Sequence, residues 1–146
     1  MQKFQVPTIE SPMDPVEARR KEATSLSFIG DAVHTLAVRE RLVLSQDVKT
    51  GVLHHQASKE VNATAQSHAL KRIEGMLSEE ETDVYKRCRN VRQTTMAKHA
   101  SAVDYKIASG FEGLVGFLYL TGRSKRIEEL LEEGYKMEEE VSRLYV

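Results

Sequence analysis

Apolar side chains recur every three or four residues over most of the chain, which is the spacing of one face of an α-helix. The pattern predicts a short helix and four long ones, at residues 16–21, 25–44, 52–77, 102–120 and 125–144. All three prolines lie within the first fifteen residues, so the rest of the chain lacks the strongest helix breaker. These observations predict an all-α fold that follows an extended N-terminal arm, residues 1–15.

Local signals add one helix and one loop to this pattern. Ser78 and Glu81 have the spacing of a capping box, in which each side chain accepts from the backbone of the other residue. A helix is therefore predicted from residue 79 to about residue 91. Residues 93–101 lack a clear apolar period and are predicted to form a loop.

Composition limits the class of protein. The 146 residues, 40% of them hydrophobic, suit one globular domain with a sizeable core. A single cysteine, Cys88, excludes an internal disulfide and fits a reducing cytosol. The most apolar stretch, residues 111–120, is too short to span a bilayer, and the N-terminus does not resemble a secretory signal. We therefore expect a cytoplasmic protein with no membrane partner.

Two acids interrupt apolar, glycine-bearing helices, and both are predicted to lie in the core. Asp31 follows Gly30, and Glu112 stands between Gly110 and Gly113. Helix glycines permit close approach of another backbone, so a crossing of these helices would bring the two carboxylates together. Hard oxygen ligands at one point favour Mg²⁺ or Mn²⁺. The alternative for each acid alone is a carboxylate bound by an arginine or a helix end.

Basic residues are concentrated in one segment, although the net charge of the chain is −1. Residues 84–106 contain six Lys and Arg against one acid, a local charge of +5. Cations favoured at a helix C-terminus would explain two or three of these charges. The others suit phosphates and ribose hydroxyls. The candidate RNA-binding residues are Arg87, Arg89, Asn90, Arg92, Lys98 and His99.

Two motifs carry a resemblance to a known family. F-I-G-D-A-V at residues 28–33 resembles the signature helix of the ribonuclease III catalytic domain, and F-E-G-L-V-G-F-L-Y-L at 111–120 resembles its later glutamate-bearing helix. The length, R-C-R-N at 87–90, Lys98 and Tyr105 are similar to the short Mini-III branch, which has no double-stranded-RNA-binding domain. The resemblance covers about residues 22–135.

The chain departs from the broader family at several positions. Three of the family's acidic positions are neutral, at Thr24, Ser27 and Ser109, a trait that the Mini-III branch shares. Cys88 stands where that branch usually has glycine, and the loop at 93–99 is altered. The neutral positions leave open whether a site holds one metal ion or two.

The resemblance implies a dimeric helical bundle with its catalytic domain at residues 16–146. It implies that Asp31 and Glu112 hold Mg²⁺, with Mn²⁺ as a substitute, and that the homodimer cuts double-stranded RNA to leave 5′-phosphate and 3′-hydroxyl ends. The implied substrate is precursor 23S ribosomal RNA. A second hypothesis is a catalytically weak RNA-binding or ribosome-assembly protein on the same fold. A plain helical interaction module would leave Asp31 and Glu112 unexplained.

Overall fold

A computed structural model describes residues 2–91 and 101–144, with side chains as far as residue 136. The described residues contain seven α-helices, a single 3-10 turn at Glu74–Met76 and no strand, which confirms the all-α prediction. None of these helices is both long and apolar enough to cross a membrane. The helices are α1 (Pro15–Arg19), α2 (Ala23–Ser45), α3 (Thr50–Val61), α4 (Ala63–Ile73), α5 (Glu79–Arg89), α6 (Ala102–Leu120) and α7 (Ser124–Leu144).

Helix α6 lies at the centre and packs against α2, α4, α5 and α7. Its side chains Phe111, Leu114, Phe117 and Leu118 are fully buried. Together with Ser109, Val115 and Gly116, which are also buried, these residues cover all sides of the helix, because neighbouring helices surround it. This burial explains why residues 111–120 form the most apolar stretch of the chain without being a membrane segment.

The single helix predicted at residues 52–77 is wrong, because the structure divides it at Asn62. The backbone of Asn62 is extended, with φ −73° and ψ 157°, and its side chain accepts from the Ala65 amide at 2.8 Å as the N-cap of α4. The side-chain nitrogen of Asn62, Nδ2, also donates to the carbonyl of Ser58 at 2.8 Å, in the last turn of α3. One asparagine thus satisfies both helix ends, while the apolar spacing continues across the break.

The capping box at the start of α5 is confirmed and extends into a tertiary contact. Ser78 Oγ accepts from the Glu81 amide at 3.1 Å, and Glu81 Oε1 accepts from the Ser78 amide at 2.8 Å. The same carboxylate accepts two bonds of 2.9 Å from Arg126 of α7. Burial opposes ionisation of Glu81, but the bonds from Arg126 and Ser78 outweigh it and lower the pKa of this carboxyl. The box therefore also joins α5 to α7.

The N-terminal segment packs against the outside of α7. Phe4 and Val6 are buried, and their amides donate to Glu132 Oε1 at 2.6 Å and to Glu128 Oε2 at 2.8 Å. The guanidinium of Arg41 on α2 lies 4.1 Å from the centre of the Phe4 ring. The segment therefore contributes apolar side chains to the core that joins α2 and α7.

Candidate metal and RNA site

Helices α2 and α6 cross at glycines on both sides. A Cβ placed on Gly30 would lie 2.6 Å from the carbonyl carbon of Glu112 and 2.8 Å from the amide nitrogen of Gly116. A Cβ on Gly116 would lie 2.9 Å from the carbonyl carbon of Leu26. Carbon atoms in ordinary contact are 3.5–4.0 Å apart, so neither position has room for a side chain. The two backbones touch, as the glycines predicted.

The crossing brings Asp31 and Glu112 together. Gly30, the residue before Asp31, is the one that meets the Glu112 carbonyl, and the two side chains are hydrogen-bonded to each other. Burial, this hydrogen bond and the charge of Asp31 raise the pKa of Glu112 to about 9. Without a cation, Glu112 of this acidic pair therefore keeps its proton at neutral pH.

The prediction that both acids lie in the core is wrong for Asp31. Its side chain is exposed, whereas Glu112 is partly buried. Asp31 lies on an outer face of α2 together with Phe28, which is 83% exposed. The carboxylate pair is consequently open to solvent on the Asp31 side.

The donors at this site suit a hard cation that retains water. Mg²⁺ usually binds through one or two carboxylates and keeps several waters, and the exposure of Asp31 leaves space for them. Within residues 2–91 and 101–136, no group of three or more ligating acids, histidines or cysteines converges. Ser27 Oγ donates to the Ser109 carbonyl at 2.8 Å, while Thr24 is exposed. The pair fits a cation held by two carboxylates and water.

The predicted RNA-binding residues have different surroundings. Arg87 donates to the carbonyls of Arg19 at 2.8 Å and Lys21 at 2.7 Å, and so ties α5 to the segment after α1. Arg89 is half-buried, and its Nε donates to Asn90 Oδ1 at 3.0 Å. The other three, Arg92, Lys98 and His99, lie outside the described residues.

Cys88 fills the space that a missing side chain leaves on α6. A Cβ on Gly113 would lie 2.5 Å from Cys88 Cβ and 3.2 Å from Ser27 Oγ. Burial raises the pKa of the Cys88 thiol, although Arg87 and Ser27 partly oppose this effect. The thiol is therefore neutral at physiological pH and acts as a small packing group between α5 and α6.

Sequence reasoning missed His34, which is fully buried one turn after Asp31. Its Nε2 lies 2.8 Å from the hydroxyl of Tyr135, and that hydroxyl donates to the Glu60 carbonyl at 2.6 Å. Since the tyrosine proton is used there, His34 must donate from Nε2. Burial lowers the pKa of His34 to about 4, against the smaller effect of Asp31. The one available signal was its position on the inner face of α2.

The imidazole of His34 also contacts the core beside the acidic pair. Its ring packs edge-on against Phe111, the residue before Glu112, with the ring centres 5.2 Å apart. Tyr135 packs edge-on against the same imidazole at 5.8 Å. His34 therefore links α7 to the parts of α2 and α6 that carry Asp31 and Glu112.

Comparisons with known proteins agree with this architecture. The ribonuclease III domain family matches residues 24–123. The chain is 41% identical over 115 residues to Mini-ribonuclease 3 of Thermoanaerobacter sp. (strain X514), covering 79% of this chain and 81% of that protein. It is 40% identical over 114 residues to Mini-ribonuclease 3 of Brevibacillus brevis, covering 78% and 85%. The crystal structure of protein FN1578 from Fusobacterium nucleatum superposes with a TM-score of 0.75 at 28% identity, covering 84% of this chain and 98% of that one.

Proposed function

Because the chain belongs to the ribonuclease III family, and within it to the Mini-ribonuclease 3 group, we propose that it is a Mg²⁺-dependent enzyme that cuts double-stranded RNA in the cytoplasm. Family membership makes it an endoribonuclease. The proposed substrate is the base-paired stem that ends precursor 23S ribosomal RNA. The catalytic domain spans residues 16–146, and cleavage leaves 5′-phosphate and 3′-hydroxyl ends.

The observation that carries the proposal is the pairing of Asp31 with Glu112 at the glycine crossing. Both acids hold the metal ion, with Mn²⁺ as a substitute for Mg²⁺. Mg²⁺ held by Asp31 and Glu112 would supply Lewis-acid chemistry, which would activate water for attack on the phosphodiester. The chain's own part is to hold the two carboxylates on rigid helices, because a backbone contact fixes their relative position.

The basic segment positions the RNA backbone. The proposed contacts are Arg87, Arg89, Asn90, Arg92, Lys98 and His99. For Arg89 and Asn90, support comes from their fixed side chains at the end of α5. The Arg87 guanidinium already donates to two backbone carbonyls, so its contribution includes holding α5 in place as well as adding positive charge.

The homodimer is supported by the exposed apolar face of α2. Phe28, Leu36 and Val43 are 83%, 47% and 58% exposed and lie on one side of the helix. An uncovered apolar face of this kind marks an interaction surface. A second copy is a suitable occupant because a two-fold dimer presents two cutting sites to the two antiparallel strands of an RNA duplex.

Cleavage of a perfectly paired RNA hairpin in Mg²⁺ tests the proposal. Asp31→Asn and Glu112→Gln should each reduce the cleavage rate by more than the 10–100-fold typical of outer-shell changes, because a direct ligand is lost. Asp47→Asn is the matched control, since Asp47 is exposed and lies in the α2–α3 connection. Circular dichroism should show the same helix content in all variants. Cleavage that survives Asp31→Asn would reject the site.

The neutral residues Ser27 and Ser109 favour one second candidate, a catalytically weak RNA-binding or ribosome-assembly protein. Both positions are serine, so neither supplies a carboxylate, and Ser27 Oγ instead donates to the Ser109 carbonyl. The same assay separates the two functions. Intact RNA after hours at micromolar protein, together with measurable RNA binding, would support the second candidate and reject the nuclease.

The dimer has its own test. Light scattering should give twice the chain mass of 16.5 kDa for the wild type. Phe28→Glu should give the single mass, because the charge would be buried in the interface. Val16→Glu is the control, since Val16 is 59% exposed and lies on α1. A wild-type mass of 16.5 kDa would contradict the dimer.

A further inference from the structure

A pocket of about 320 Å³ lies between α4, α5 and α6, apart from the acidic pair. Its volume is at the lower end of the range for small-molecule sites. Polar and aromatic side chains from all three helices line it: Lys71, Glu74, Tyr85, Arg89, Asn90 and Lys106. Val103 and Ile107 form an apolar wall.

Neighbouring acids balance only part of the charge of this pocket, where Asp104 of α6 interacts electrostatically with Lys71. Three cations and one acid line it. No ion pair joins Lys71, Arg89 or Lys106 to a carboxylate in the part of the chain that the structure describes. Cations that share a pocket repel one another, so an unbalanced group of three favours an anion.

Helix dipoles account for only part of this arrangement. Lys71 and Arg89 lie in the last turns of α4 and α5, where the negative end of each helix favours cations. Lys106 is the fifth residue of α6, near the positive end of that helix, where a cation gains nothing from the dipole. The convergence of all three therefore needs another cause.

The pocket is held ready for a ligand. The Arg89 guanidinium lies 5.5 Å from the centre of the Tyr85 ring, and its Nε donates to Asn90 Oδ1 at 3.0 Å. The Asn90 oxygen is thereby used, which leaves its amide nitrogen as a donor. Gly110 makes this packing possible, because a Cβ there would lie 2.7 Å from Tyr85 and 2.9 Å from Arg89. The side chains of Arg89 and Asn90 would therefore lose little conformational freedom on binding.

We propose that this pocket binds a backbone phosphate of the RNA strand, through Lys71, Lys106, Arg89 and the Asn90 amide. The inference rests on the proposed function and adds two contacts, Lys71 and Lys106. Lys106 and Glu112 are six residues apart on α6, about 9 Å along the helix axis, so one strand can reach both. The apolar wall suits the face of a ribose, whereas a phosphate is bound by charge without regard to sequence.

Salt dependence of RNA binding tests the pocket. The dissociation constant of a paired RNA hairpin is measured in EDTA, at 50 and 200 mM salt, for wild type, Lys71→Gln, Lys106→Gln and the double variant. Each lost phosphate contact should reduce the loss of affinity between these salts by about 3.5-fold, and two contacts by about 12-fold. Lys125→Gln is the matched control, because Lys125 is 97% exposed and lies on α7. The effect should be equal for two hairpins of unrelated sequence.

Two further measurements test the pocket: a variant that should tighten RNA binding, and the KM and kcat of the lysine variants. Glu74→Gln removes the acid from the pocket and should tighten binding at 50 mM salt by at least about twofold. In cleavage assays the lysine variants should raise KM with kcat unchanged, because their contact is made before and during the reaction alike. A lysine double variant with the wild-type salt slope would overturn the assignment.

The remaining outcomes separate the pocket from the proposed function. Wild-type protein that cuts the hairpin, together with pocket variants that match Lys125→Gln, would reject the pocket alone. Wild-type protein that neither binds nor cuts the hairpin would reject both proposals. Uridine 5′-monophosphate serves as a second probe. If the lysine variants lose this nucleotide but keep the wild-type salt slope for RNA, the ligand is a mononucleotide, and the RNA assignment is wrong.

Discussion

Replacing Gly30 by alanine tests the crossing of α2 and α6 directly. The new methyl carbon would lie 2.6 Å from the carbonyl carbon of Glu112 and 2.8 Å from the amide nitrogen of Gly116. Contact between carbon atoms normally requires 3.5–4.0 Å. Both obstacles are backbone atoms, which cannot rotate away. The carbonyl oxygen of Glu112 would lie closer still, so the two helices must move apart by more than about 1 Å.

Two opposing effects set the change in the free energy of unfolding of Gly30→Ala. Alanine is favoured over glycine inside a helix by about 1 kcal/mol. Overpacking of a core costs about 1–3 kcal/mol and occasionally more, and here the upper part of that range applies because backbone meets backbone. We expect a net loss of about 2 kcal/mol in the free energy of unfolding. The melting temperature should fall by about 6 °C for a chain of this size.

Thermal and urea unfolding measure this loss, with Gly51→Ala as the matched control. A Cβ on Gly51, in the first turn of α3, would have no atom within 4 Å. That variant should gain as much as about 1 kcal/mol from helix propensity alone. A Gly30→Ala protein as stable as the wild type, or stabilised as Gly51→Ala is, would refute the account of the crossing.

Three further predictions concern stability, each measured by urea unfolding. Burial lowers the pKa of His34 to about 4 from about 6.5 in the unfolded chain, so its contribution is complete above pH 6.5 and is lost as the pH falls towards 4. This loss amounts to about 3 kcal/mol, and His34→Gln should lack it; identical pH profiles would contradict the burial. Glu81→Gln should cost about 3 kcal/mol because Arg126 loses its buried charge partner and keeps the exposed Glu129, whereas the exposed Glu79→Gln should cost almost nothing. Phe4→Ala should cost about 3 kcal/mol, and an unchanged midpoint would show that the N-terminal segment adds nothing to the core.

Much of the fold was predictable because helix ends and helix faces are local signals. The capping box at Ser78 and the inner face of α7 both follow from residues within one or two turns. The break at Asn62 was missed because a polar residue at this position fits both a helix cap and the exposed side of a continuous helix. The apolar spacing is the same in the two cases. The exposure of Leu36 was not predictable, because the apolar spacing along α2 does not show which of its faces another helix covers.

In the candidate site too, some contacts were predictable from the sequence and others were not. The approach of Asp31 to Glu112 was predictable because each acid adjoins a glycine within its own helix. The contacts of Arg87 with the end of α1 were not, since they depend on how two distant helix ends meet. The bond between His34 and Tyr135 joins residues 101 positions apart, and no local pattern marks such a pair.

The acidic pair and the basic pocket differ in how far amino-acid substitutions near them disturb the core. Gly30 touches the carbonyl of Glu112 itself, so any side chain at position 30 displaces the backbone that carries one acid and adjoins the other. Helix packing and the geometry of the acidic pair therefore depend on the same contact, and a change at position 30 alters both. Lys71 and Lys106 instead have exposed side chains at the edge of the bundle, where a substitution leaves the core intact. If the pocket binds RNA as proposed, substitutions of the two lysines would change RNA affinity in small steps, whereas a substitution at Gly30 would displace the carboxylate pair at once.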